Sequence, residues 1–189
     1  MFNDIIEINE NDIVEQIIQL KNDKSWTLIS DLDDSLWIDK ENLFHINNIT
    51  ERNYYNVDFI NRNTTDLKIG RKYLLKNYEK LVDNFKSVYI ITRGAVLVEE
   101  RQNAIQTILD KVENTHYYAF GNDYIGKDIT KSKLEIFLNV FIKPDKINNI
   151  LFLDDSYEEH YKNLKYIKEK NLNINYLSVL ISWSGKIKN

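Results

Sequence analysis

The sequence predicts an α/β fold: a three-layer α/β/α sandwich around a mostly parallel, Rossmann-like sheet. Three observations predict it. Short apolar runs rich in β-forming residues alternate with stretches of helical periodicity. Those runs are apolar along their whole length, the pattern of strands buried on both faces. Polar and acidic residues gather where the runs stop. Strands alternating with helices imply crossover connections within one sheet, and such a sheet binds its ligand beyond the carboxyl ends of its strands.

Taken in order, the first element is a helix over 12–20, with Ile13, Ile17, Ile18 and Leu20 on one stripe. A strand over 26–31 (WTLISD) follows. Residues 36–71, rich in Asn, Tyr and Arg (Arg52, Tyr54, Tyr55, Arg62), read as a polar flap or small cap insert. Helical spacing of Leu74, Leu75, Tyr78, Leu81 and Val82 predicts a core helix over 72–85. Next come a strand over 88–92 (VYIIT), a helix over 96–112, a weaker strand over 116–120 (HYYAF) and a helix over 134–141. The chain ends in a strand over 150–154 (ILFLD), a helix over 157–169 and a strand over 176–182 (YLSVLIS). Ser132 with Glu135, and Ser156 with Glu159, match the S-x-x-E capping box at the start of the last two helices. At 189 residues the chain suits one such domain carrying the small insert at about 36–71.

Composition narrows the function classes. Apolar residues make up 43% and charged residues 29%, an ordinary globular balance that excludes disorder. With no cysteine, disulfide scaffolds, thiolate metal sites and cysteine nucleophiles are excluded. The net charge of −4 gives no bulk attraction to nucleic acid or anionic lipid. No run of 18 apolar residues occurs, and the opening residues are too acidic for a signal peptide, so a cytoplasmic location with no membrane partner is expected. His45, His116 and His160 are scattered and read as structural or surface residues.

The candidate chemistry lies at three strand ends. The first run stops in Asp31-Leu32-Asp33-Asp34-Ser35, the second in Thr92-Arg93-Gly94, and the third in Asp154-Asp155-Ser156. A single Asp after a strand is usually a turn or helix cap. Acids clustered after two strands of the same sheet repel one another unless a cation or shared protons stabilise them. Hard oxygen donors without His or Cys favour Mg²⁺ together with a substrate phosphate.

WTLISDLDDSLW, VYIITRG and ILFLDDS resemble, in order and spacing, motifs I, II and IV of the haloacid dehalogenase superfamily, over about residues 25–160. Ser35 stands where that pattern usually has Thr. The resemblance implies a Mg²⁺-dependent phosphatase working through an aspartyl-phosphate. Asp31 would be the nucleophile and Asp33 the general acid, then the base that activates water. Thr92 would bind a phosphoryl oxygen. The cation would sit on the Asp31 carboxylate, the Asp33 carbonyl and Asp155, with Asp154 as the alternate ligand or as the group orienting a lysine. That lysine is expected near the start of the helix before motif IV; Lys131 is the first choice and Lys133 the second. Arg93 is a further phosphate candidate.

Gly121 to Lys127 fits the first seven positions of a phosphate loop, but Asp128 occupies the place of the hydroxyl and a turn is the better reading. With only a small insert, the site is expected to be open. Open members of the superfamily tend to act on large substrates, which makes a nucleotide or nucleic-acid end a candidate partner. The rival reading is a catalytically idle module that kept the fold for binding or regulation.

Overall fold

The computed structural model of the protein describes residues 5–8, 12–32, 35–39, 54–58, 71–75, 77–93, 115–119, 131–140 and 147–181. Their elements run β1 (Ile6–Ile8), α1 (Ile13–Gln19), β2 (Thr27–Ser30), β3 (Trp37–Asp39), β4 (Tyr54–Asp58) and β5 (Arg71–Leu75). They continue with α2 (Tyr78–Asp83), β6 (Ser87–Thr92), β7 (Thr115–Ala119), α3 (Lys133–Val140), β8 (Asn149–Asp154), α4 (Tyr157–Glu169) and β9 (Asn175–Ile181).

Six strands form one sheet in the order β1-β9-β8-β2-β6-β7, and every neighbouring pair in it is parallel. The molecule is therefore an α/β protein with a parallel sheet. The apolar runs alternate between two core clusters. Leu28, Val88, Ile90, Leu151, Leu153, Val179 and Ile181 pack with Ile13, Val14 and Ile17 of α1 and with Leu81, Val82 and Phe85 in and after α2. Ile29, Ile91, Ile150 and Phe152 pack with Leu134, Ile136, Phe137 and Leu138 of α3 and Tyr166 of α4. Successive strand residues point to opposite faces, so a strand with helices against both faces is apolar at every position. Phe137 and Phe152 are completely buried, and truncating either to Ala removes about 3–5 kcal/mol of stability.

β2 lies between β8 and β6. From β2 the chain moves to β6 and β7 on one side, then returns to β8 and β9 on the other. Open α/β sheets bind ligands at such a reversal, here the carboxyl ends of β2, β6 and β8. Register fixes what faces it: Ser30 pairs with both Ile90 and Leu153, and the Asp31 N–H donates to the Leu153 carbonyl at 2.8 Å.

The segment after β2 differs from expectation. β3, β5 and β4 form a separate three-stranded sheet, with β5 antiparallel to both neighbours. The helix expected over 72–85 is thus replaced in its first part by β5, and only Tyr78–Asp83 is helical. Two strand partners satisfy the backbone of Arg71–Leu75, and that pairing overrides its helical periodicity. Asn77, at φ 60°, then turns the chain into α2, a backbone region that Asn tolerates better than most residues. β1, a three-residue edge strand, has no counterpart among the expected elements. The helix expected over 96–112 and the phosphate-loop-like segment 121–128 lie outside the described residues.

Candidate functional site: an acidic cluster around a buried lysine

Asp31 directly follows β2, and Asp154 is the last residue of β8. The parallel register sets these two neighbouring strand ends side by side. Asp31 is 7% exposed and Asp154 is fully buried. Between them lies the ammonium of Lys133, 2.7 Å from Asp31 Oδ1 and 2.8 Å from Asp154 Oδ2. Asp155 completes the cluster: one carboxylate oxygen from each of Asp31, Asp154 and Asp155 lies within 4.8 Å of the others.

Of the two candidate lysines, the structure brings Lys133 to the acids. Lys131 is exposed and its backbone carbonyl, two residues before α3 begins to carry the site, accepts from Arg93 Nη2 at 2.5 Å. The ammonium between Asp31 and Asp154 is thus that of Lys133, the second choice, rather than that of Lys131, the first. Lys133 is the first residue of α3, and the residue is 4% exposed. The reason lies in the helix start. Ser132 Oγ accepts from the Glu135 N–H at 3.1 Å, so the serine half of the capping box predicted there forms and fixes Lys133 on the first turn.

The electrostatics are those of a site with surplus negative charge. Burial raises the Asp31 carboxyl well above the usual carboxylate range; Lys133 opposes this, and Asp154 and Asp155 add to it. For Lys133, burial alone would lower the pKa, but Asp154 and Asp31 outweigh burial and raise it, so the ammonium stays charged. Three carboxylates against one ammonium leave a formal −2. Hard oxygen donors with that balance fit a divalent cation such as Mg²⁺ or Ca²⁺.

Other side chains hold the cluster in place. Asp154 Oδ1 accepts from the Ser156 N–H at 2.8 Å, leaving Oδ2 to Lys133. His160, fully buried, places Nε2 3.0 Å from the Asp154 carbonyl and Nδ1 2.7 Å from Ser178 Oγ. A carbonyl only accepts, so Nε2 carries the proton and Nδ1 accepts from the serine hydroxyl. Burial lowers the His160 pKa against the pull of the Asp154 carbonyl, which keeps the ring neutral in this role.

Thr92, the last residue of β6, is buried at the strand end next to β2. Arg93 follows it; its Nε donates to Glu159 Oε1 at 2.8 Å, and its Nη1 is buried without a hydrogen-bond partner among the described residues. Asp33 lies outside the described residues. The expected capping box at Ser156 does not form. Ser156 makes no side-chain cap, and Glu159 turns instead to Arg93 and to the Lys133 N–H, 3.1 Å from its Oε2. Glu159 is therefore a residue beside the site that sequence reasoning missed, whereas the buried His160 has the structural role expected of it. For Glu159 the only signal was a Glu in a capping pattern, and it pointed to the wrong helix.

Comparison with protein-family models, with curated proteins and with solved structures finds no match to this chain. Among the described residues, no helix is long and apolar enough to cross a membrane.

Proposed function

We propose that this protein is a Mg²⁺-dependent phosphohydrolase acting through an aspartyl-phosphate on Asp31, built on a three-layer α/β/α sandwich of Rossmann-like type. One observation carries the reading: the Lys133 ammonium held between Asp31 and Asp154 at a parallel-sheet switch point, with Asp155 beside them. A buried ammonium touching a carboxylate suits a site that brings a phosphate dianion to an anionic nucleophile. The motif resemblance supports the same roles, and the two core clusters support the layered architecture.

In this reading Asp31 attacks phosphorus, and Lys133 neutralises charge on the nucleophile and on the phosphoryl oxygens. Thr92 donates a hydrogen bond to one of those oxygens. Asp33 gives a proton to the leaving oxygen and later takes one from the water that hydrolyses the acyl phosphate. Asp31, Asp155 and the Asp33 carbonyl would hold Mg²⁺, which would screen the repulsion between nucleophile and phosphate. Asp154 serves chiefly to orient Lys133. The substrate is a phosphate monoester, with a nucleotide, a nucleic-acid end or another large phosphorylated molecule as candidates, and a cytoplasmic setting suits it.

The test is hydrolysis of p-nitrophenyl phosphate with Mg²⁺, with EDTA, and by Asp31→Asn. Magnesium-dependent turnover that disappears in Asp31→Asn is expected. No turnover, together with no beryllofluoride adduct on Asp31, would sink the enzyme reading and favour an idle binding module.

A further inference from the structure

We propose that Glu159 is a positioning residue of this site. By gripping the backbone of Lys133 and the guanidinium of Arg93, it sets the first turn of α3 so that Lys133 enters the acid cluster. The inference rests on the phosphohydrolase reading for its catalytic consequence and adds a residue that reading does not use.

Glu159 is 6% exposed. A carboxylate so buried needs partners for both oxygens. Oε1 accepts from Arg93 Nε at 2.8 Å, and Oε2 accepts from the Lys133 backbone N–H at 3.1 Å. Arg93 Nη2 donates in turn to the Lys131 carbonyl at 2.5 Å. The contacts close a ring from α4 through the end of β6 to the residues that start α3 and back to α4. One turn along α4, Asn163 Oδ1 accepts from the Leu134 N–H at 3.1 Å, while its Nδ2 donates to the Tyr176 hydroxyl at 3.0 Å. The first N–H groups of a helix have no partner within the helix. Here those of Lys133, Leu134 and Glu135 are taken by Glu159, Asn163 and Ser132.

Two of these three acceptors come from another helix. Ser132 takes only the Glu135 N–H, so the Lys133 and Leu134 N–H groups of α3 depend on acceptors from α4. Glu159 and Asn163 do something more: they fix where the first turn of α3 sits relative to α4. α4 also fixes Asp154 through His160. A lysine head on a flexible four-carbon stem is placed only as well as the backbone that carries it. Holding the N–H of residue 133 against α4 thereby decides that Lys133, and not Lys131, reaches Asp31 and Asp154. The negative charge of Glu159 at the start of a helix is itself favourable.

The test compares Glu159→Ala and Glu159→Gln with Leu81→Ala, a core truncation in the opposite cluster that removes stability without touching the site. Two readouts are taken where all variants are folded. One is kcat and KM for p-nitrophenyl phosphate. The other is the ¹H–¹⁵N signal of the Lys133 ammonium, assigned as the peak absent from Lys133→Met. In Glu159→Ala the ammonium signal should shift or vanish, and kcat should fall about 10–100-fold with KM changed less than about threefold. Glu159→Gln, which keeps one acceptor, should lose less, and Leu81→Ala should change neither readout. If folded Glu159→Ala keeps both the ammonium signal and kcat, Glu159 is a structural tie only and the proposal is overturned. Should Glu159→Ala not fold, the same two readouts on Glu159→Gln decide. If the wild type shows neither turnover nor a beryllofluoride adduct on Asp31, the phosphohydrolase reading fails, and with no turnover in either case the ammonium signal alone decides the positioning.

Discussion

β2 is bracketed by two aspartates, and their surroundings treat the same side chain in opposite ways. Asp23, before the strand, is fully exposed, and hydrogen bonds from the Ser25 hydroxyl and N–H hold its carboxyl below the usual range. Asp31, after the strand, is buried, and burial pushes its carboxyl up. The lysines repeat the contrast. At the amino end, Lys21 donates to the carbonyls of Asp23 and Asn84 and lies over the Phe85 ring, and burial lowers its pKa. At the carboxyl end, Lys133 meets two carboxylates and its pKa rises in spite of deeper burial. One end of the strand uses Asp as a turn residue in water. The other keeps charge out of water, which costs stability unless the charges are paired. Concentrated, desolvated charge at this end of the sheet is the feature on which the proposed site rests.

The largest effect expected from disturbing this contrast is that of Lys133→Met. It leaves Asp31 and Asp154 buried without their cation, a loss of about 3–5 kcal/mol. Urea unfolding in EDTA should show that loss, and added Mg²⁺ should recover part of it by binding the folded state. A loss below about 1 kcal/mol would mean that the carboxylates reach water without the lysine. They would then belong with Asp23 and not with a buried site.

A smaller effect separates cation binding from folding. Mg²⁺ at a hundred times its dissociation constant should stabilise the wild type by about 2.7 kcal/mol. Asp31→Asn should lose most of that gain, yet be no less stable than the wild type in EDTA. The sign follows from the raised carboxyl: the folded state holds the Asp31 proton more tightly than the unfolded chain does. Ionising Asp31 therefore costs the metal-free fold stability. This cost is absent below the ordinary carboxylate pKa and grows as pH rises from there toward the raised folded value. Asparagine removes the charge, so that part of the pH dependence of unfolding should disappear with it. A metal-free Asp31→Asn clearly less stable than the wild type would show that the Lys133 contact outweighs the burial cost.

The parts of this picture legible in the sequence are those that local pattern decides. β2, β6, β8 and β9 announce themselves because strands covered on both faces are apolar throughout. Asp31, Thr92, Asp154 and Asp155 follow from where those runs stop. β5 was misread because Leu74 and Leu75 continue a helical stripe into α2, and nothing local reports that β3 and β4 lie ready to pair with it. The ranking of Lys133 behind Lys131 and the reading of Glu159 as a local cap have a related cause. The capping box correctly put Lys133 on the first turn, but the direction of its side chain depends on α4, a separate element. Glu159 fits a local cap by spacing and is claimed instead by Arg93 and α3, a choice that only the tertiary fold makes.

The smallest expected effect tests that last point. Lys131→Ala should change unfolding free energy by no more than about 0.5 kcal/mol and leave kcat within about twofold of the wild type. The described contact of Lys131 with the clamp is made by its carbonyl, which alanine retains. Its side chain stands at the exposed surface, where a charge contributes little. Lys133, two residues on, carries the same side chain on the buried side of the same turn. If Lys131→Ala were to abolish turnover while Lys133→Met spared it, the assignment of the two lysines would reverse. The first turn of α3 would then have to rotate during catalysis, and the grip of Glu159 on the Lys133 N–H would oppose the active pose instead of defining it.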